Sequence, residues 1–164
     1  MSGTTADFIA RFGGVYEQSR WVVEQAAPLA TGIDDIDQIA KIMADCVDNA
    51  GFEAQLELIR AHPDLAGKAQ IAGDLTAEST REQASAGLDR CTAAEYERFQ
   101  ALNRAYHAKF GFPFVMAVSG RSRVEILDAF ESRLNNDHAV EFAAALAEIH
   151  KIARLRMQAP ETVL

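Results

Sequence analysis

Along nearly all of this chain apolar residues recur every three or four positions, and one stretch, "GFPFVMAVSG" (111–120), breaks that period. A 3.6-residue repeat cannot be read as a half-buried strand, so the pattern restricts the chain to helices almost throughout. In "IDDIDQIAKIMADCVDNAG", Ile36, Ile39, Met43, Cys46 and Val47 fall on one face. Acidic residues crowd the start of that helix and Gly51 follows its end, as helix polarity prefers. "FEAQLELIRA" aligns Phe52, Leu56 and Ile59, and Pro63 then intervenes. "CTAAEYERFQALNRAYHAKFG" opens with a capping box, Thr92 and Glu95. It carries a stripe of Tyr96, Phe99, Asn103, Tyr106 and Phe110, and it closes at Gly111. "SRVEILDAFESRL" starts with a second capping box, Ser122 and Glu125. "DHAVEFAAALAEIHKIARLRM" has Asp137 as N-cap and Pro160 just beyond its end. Near the N-terminus, Gly13 and Gly14 separate two further helical patterns. The expected class is all-α: a compact, single-domain helical bundle of about seven to nine helices. Its one short extended segment, 111–120, is either a strand or a buried connector.

The 164 residues fit one domain, 1–164, with enough apolar content (49%) to fill a single core. A net charge of −8 argues against a nucleic-acid partner, which needs a basic face. Cys46 and Cys91 sit in helical patterns with no C-x-x-C, so a reducing compartment fits. No apolar run approaches the roughly 20 residues of a membrane span, and neither a secretory design nor a peroxisomal tripeptide is seen. The expected location is the cytoplasm, with no membrane partner.

Four features can carry chemistry. His62 directly precedes Pro63, which pushes its backbone out of the α region just past a helix end. There the helix dipole favours an imidazolium able to donate a proton near neutral pH, although Pro63 can equally just stop a helix and leave a solvated cap. In "STREQ", Ser79, Glu82 and Gln83 share a helical face, offering hydroxyl, carboxylate and amide to a heterocycle rich in N–H and C=O groups. The same Ser79-x-x-Glu82 spacing also matches a capping box. Arg156 falls on the apolar stripe of the last helix, where it must find anions or carbonyls unless it snorkels from the helix end. The extended segment leaves main-chain groups that need partners, from a ligand or from neighbouring helices. Metal binding is not indicated: His62, His107, His138 and His150 show no ligand spacing, and no Walker loop, G-x-G-x-x-G or G-x-S-x-G occurs.

Taken in order, "HPDLAGK", "STREQASAGL", "KFGFPFVMAVSGR" and "EIHKIARLRM" resemble the 2-oxo-4-hydroxy-4-carboxy-5-ureidoimidazoline (OHCU) decarboxylases, over about 8–157. The resemblance implies an all-helical, cofactor-free, homodimeric enzyme that yields (S)-allantoin and carbon dioxide at the end of urate breakdown. By position it makes His62 the catalytic proton donor with Glu82 beside it, and Pro63 a backbone contact to substrate. It further makes Ser79, Thr80, Arg81, Glu82 and Gln83 substrate-binding, together with Phe114, Val115, Met116, Ala117 and Val118 through their main chain, and Arg156 from the last helix. "SAGLD" varies at Ser85 around a common G-A-G-L pattern.

Such a reaction needs no metal or organic cofactor when the substrate spreads the charge left by decarboxylation into its own C=N system. A stereodefined product then requires a proton delivered to one face, and Glu82 is expected to raise the pKa of His62 for that task. The competing reading is a non-catalytic helical module that binds a purine metabolite or a protein. It leaves His62, Glu82 and Arg156 free to point anywhere.

Overall fold

The computed structural model describes residues 4–67 and 73–158, and among them there are eight α-helices, one 3-10 turn and no strand. Pro160, expected just past the last helix, and Lys68 of the first motif lie outside the described residues. Two compact units are present. One runs to Ala61 and resumes at Ile149; the other covers His62–Glu148.

The first unit contains α1 (Thr5–Phe12), α2 (Arg20–Ala30), α3 (Ile36–Asp48) and α4 (Phe52–Arg60). Local chemistry sets their starts. Thr4 and Asp7 form a capping box on α1, and the Asp35 carboxylate accepts from the Asp37 and Gln38 amides of α3 at 2.8 and 3.1 Å. The expected stripe of α3 is the buried one: Ile39, Met43 and Val47 are inaccessible or nearly so, and α3 packs on α2, whose Val22, Val23 and Ala26 are likewise buried. On α4 the buried face is Leu58 and Ile59, whereas Phe52, expected on it, is 54% exposed at the first helical position. In the same unit the Tyr16 hydroxyl meets His150 Nδ1 at 2.8 Å, and His150 Nε2 meets Asp48 at 3.3 Å.

The second unit contains α5 (Ala77–Ser85), the 3-10 turn Leu88–Arg90, α6 (Ala93–Phe110), α7 (Arg123–Leu134) and the first part of α8 (His138–Gln158). Both expected capping boxes are present, on α6 and α7, and Asp137 accepts from the Val140 amide at 2.9 Å. Gly111 ends α6 at φ 77, a left-handed backbone that only glycine adopts freely. The core is aromatic. Tyr106, Phe112, Phe114 and Phe130 are at most 1% exposed, and Phe114 stacks on Phe130 with centroids 4.0 Å apart.

The extended segment is the connector of the two alternatives. Residues 112–116 are buried and form no ladder. Side chains take the place of a neighbouring strand: Arg133 Nη1 donates to the Val115 carbonyl at 2.6 Å, and the Ala117 amide donates to Glu148 Oε1 at 3.2 Å. Arg133 also lies over the Phe114 ring, 4.4 Å from its centroid, and its Nε donates to Glu141 at 2.9 Å. Glu141 is fully buried and additionally accepts from the Tyr106 hydroxyl at 2.6 Å and from Asn136 at 2.9 Å. Its negative charge is therefore met by one cation and two neutral donors, the pairing that a buried carboxylate needs.

Candidate active site

His62 follows the end of α4 by two residues and is 7% exposed, so it is a buried imidazole and not a solvated cap. It opens a short loop whose main chain is held by side chains from α5 and α6. The Gln83 amide serves it twice, accepting from the Ala66 N–H at 3.1 Å and donating to the Asp64 carbonyl at 3.2 Å. Asn103 donates to the Leu65 carbonyl at 3.0 Å, and Gln100 donates to the Ala66 carbonyl at 2.6 Å. His107 bonds the Asp64 carboxylate at 2.8 Å. Ala66 has φ 51, a left-handed conformation that costs a residue with a Cβ about 1–2 kcal/mol. At Gly67 an added Cβ would sit 2.8 Å from the Asp64 Cβ, so the turn closes only around a glycine.

The helix that grips this loop is the one bearing the "STREQ" cluster. Its N-cap is Thr76, whose hydroxyl accepts from the Ser79 amide at 3.2 Å. Ser79 is thus inside the first turn, and the capping-box alternative for Ser79 and Glu82 does not occur. Ser79 and Gln83, one turn apart, are the buried pair at 5% and 2% exposure; Glu82 is half-buried. Thr80 and Arg81 are exposed, and the Thr80 hydroxyl is turned back onto the Thr76 carbonyl at 2.8 Å. Pro63 is half-buried, and Phe114, Val115, Met116 and Val118 are buried with Ala117 half-buried. Arg156 belongs to the first unit. Its side chain is 6% exposed and donates to the Gly14 carbonyl at 3.2 Å and to Glu17 at 3.4 Å, so it is buried with polar partners and does not snorkel.

Sequence reasoning missed Gln100, Asn103 and His107 as the residues that fix the histidine loop. The one available signal was Asn103, a polar residue within the apolar stripe of α6, 4% exposed. It missed Glu148 and Arg133 in the same way.

Burial pushes the Tyr106 hydroxyl far above its usual range, with the Glu141 hydrogen bond adding to the effect. Burial likewise raises the Cys46 and Cys91 thiols, which makes both poor nucleophiles at neutral pH. Among the described residues no group of three or more His, Cys, Asp or Glu side chains is placed to hold a metal ion, and no helix is long and apolar enough to cross a membrane.

Fold and site define a class first: an all-helical protein with a buried imidazole on a rigid loop, tied by Gln83 to a helix that carries a hydroxyl and a carboxylate, equipment for moving protons. Residues 2–158 match the family model described as OHCU decarboxylase, and the chain belongs to that family. A 2-oxo-4-hydroxy-4-carboxy-5-ureidoimidazoline decarboxylase of Halalkalicoccus jeotgali is 44% identical over 151 residues, covering 92% of this chain and 83% of that one. A uric acid degradation bifunctional protein of a Bacillus species is 41% identical over 155 residues, 94% of this chain and 30% of that longer protein. A crystal structure of OHCU decarboxylase in the presence of (S)-allantoin matches with a TM-score of 0.69 at 27% identity, over 87% of this chain and 92% of the other.

Proposed function

We propose that this chain is a carboxy-lyase that converts OHCU to (S)-allantoin and carbon dioxide in urate catabolism, with His62 as proton donor and Glu82 as its carboxylate neighbour. Family membership supports the reaction. The observation that carries the residue roles is the burial of His62 on a loop bonded to the helix that also presents Ser79, Glu82 and Gln83.

The chemistry follows from the substrate. As the bond to the carboxylate breaks, carbon dioxide leaves and its electron pair enters the adjacent C=N system of the ring. The planar enol that results is protonated on the carbon bearing the ureido group, while the enol O–H proton passes to the ring nitrogen that took up the electron pair. Solvent would protonate both faces. A single donor of fixed direction protonates one, and the imidazolium of His62 is that donor, recharged from water after each turnover. Glu82 pairs with the imidazolium. Pro63, Ser79, Thr80, Arg81, Gln83, the main chain at 114–118 and Arg156 complete the substrate contacts in this reading. The chain acts as one domain, 1–164, in this reading. It works in the cytoplasm, as a homodimer, without metal or organic cofactor.

The test uses OHCU generated freshly from urate. Wild-type protein should speed its decay and give (S)-allantoin in excess, with the same rate after exhaustive chelation. Glu82→Gln should keep the fold and lose most of the rate. Decay no faster than in buffer would end the proposal. The module reading has no observation of its own in its favour.

A further inference from the structure

We propose that Asn103 and Gln100 are positioning residues for His62, acting through the main chain of the loop that carries it; this rests on the decarboxylase reading above. Three successive loop carbonyls, at Asp64, Leu65 and Ala66, each receive an N–H from a different side-chain amide, those of Gln83, Asn103 and Gln100. A loop kept only for connection would leave those carbonyls to water. Here Leu65 and Ala66 are 6% and 2% exposed, and Gln100 and Asn103 sit three residues apart on α6, so neighbouring positions on one helix face meet neighbouring carbonyls.

The arrangement constrains His62 from both sides. Pro63 fixes the backbone immediately after the histidine. Two residues further on, the amides hold the chain through to Ala66, where the left-handed backbone persists only because its surroundings over-determine it. The loop from 63 to 66 is then a short rigid strut, and the direction of the imidazole is set by its far end. All three donors to these carbonyls are neutral. They supply direction without placing a further full charge on the main chain beside the proton donor.

The test compares Gln100→Met, which keeps length but removes the donor, with Gln100→Lys, which restores one, and with Asn103→Ala. Gln100 is half-buried, so its variants decide the matter should Asn103→Ala not fold. Expected for Gln100→Met are a kcat reduced by about tenfold to a hundredfold, a KM for OHCU changed far less, and a product whose (S) excess falls as solvent competes for the intermediate. Amide exchange at Ala66 should quicken, and Gln100→Lys, which returns a donor but brings a charge, should recover the slow exchange and the stereochemical purity while the rate recovers only in part. Wild-type kcat and wild-type (S) excess in Gln100→Met would overturn the positioning role while leaving the decarboxylase standing. So would a loss that Gln100→Lys does not repair and that follows the melting temperature alone. Wild-type protein that leaves OHCU to decay at the buffer rate removes the decarboxylase reading, and this proposal with it.

Discussion

Two irregular stretches of the second unit, the histidine loop at 62–67 and the connector at 112–118, face the same difficulty and meet it differently. Both bury main-chain groups that no helix or sheet serves. The loop's carbonyls are answered by neutral amides, Gln83, Gln100 and Asn103. The connector is answered by charges: Arg133 on the Val115 carbonyl, backed by a fully buried Glu141, and Glu148 on the Ala117 amide. A neutral amide fixes direction with little effect on a nearby titration. A buried ion pair fixes position strongly but fails badly when one member is lost. The difference teaches where each is used: neutral amides on the carbonyls next to a group that must gain and lose a proton, charges on a stretch that transfers none.

If that division is right, the largest effects should separate cleanly. His62→Gln should cost about 10²–10⁴-fold in rate, the usual worth of a positioned acid, and leave the melting temperature near wild type. Glu141→Leu should do the reverse in kind. It strands Arg133, whose side chain is 15% exposed, and should cost about 3–5 kcal/mol in urea-measured stability. Equal losses of stability in the two variants would break the comparison.

The helices were legible because their signals are local. Thr92 with Glu95, Ser122 with Glu125 and Gly111 lie within one turn of the ends they define, and each behaves as the spacing predicts. Where two local signals competed, the sequence did not decide between them. Ser79 suited either an N-cap or a polar helix face, and in the structure Thr76 is the cap, which leaves Ser79 inside the helix. The histidine loop could be seen as a sharp stop at Pro63, but not as a fixed strut. Its fasteners stand 17 to 43 residues away, and nothing in the spelling of a glutamine says that its amide will meet a distant carbonyl. Arg156 shows the intermediate case: its place on an apolar stripe required polar partners, and Gly14 and Glu17, which supply them, could not be named from it.

A smaller effect sharpens the connector's side of the comparison. Glu148→Leu removes the acceptor of the Ala117 amide and should cost about 1–2 kcal/mol, the scale of one buried donor left unsatisfied. Its signature should be quickened exchange at the Ala117 amide with little change at Ala66. Equal quickening at both would mean that loop and connector are one mechanical element and not two.

The smallest expected effect is Tyr106→Phe. Its hydroxyl donates to Glu141 at 2.6 Å, and losing that bond should cost about 0.5–1.5 kcal/mol at pH 7. Its pH dependence tells more than its size. Burial holds the folded-state tyrosine above its ordinary value, so the folded protein keeps a proton that the unfolded chain gives up near pH 10. The stabilisation is therefore fully present below about pH 10 and is lost as the pH climbs above it, by up to about 1.4 kcal/mol per unit for each such tyrosine. Tyr16, raised chiefly by burial as well, adds a second contribution of the same sign. Urea midpoints measured from pH 8 to 11 should fall above pH 10 in the wild type and fall less steeply in Tyr106→Phe. Identical slopes would show that water reaches this hydroxyl, and the charged anchor of the connector would then be wetter than its burial says.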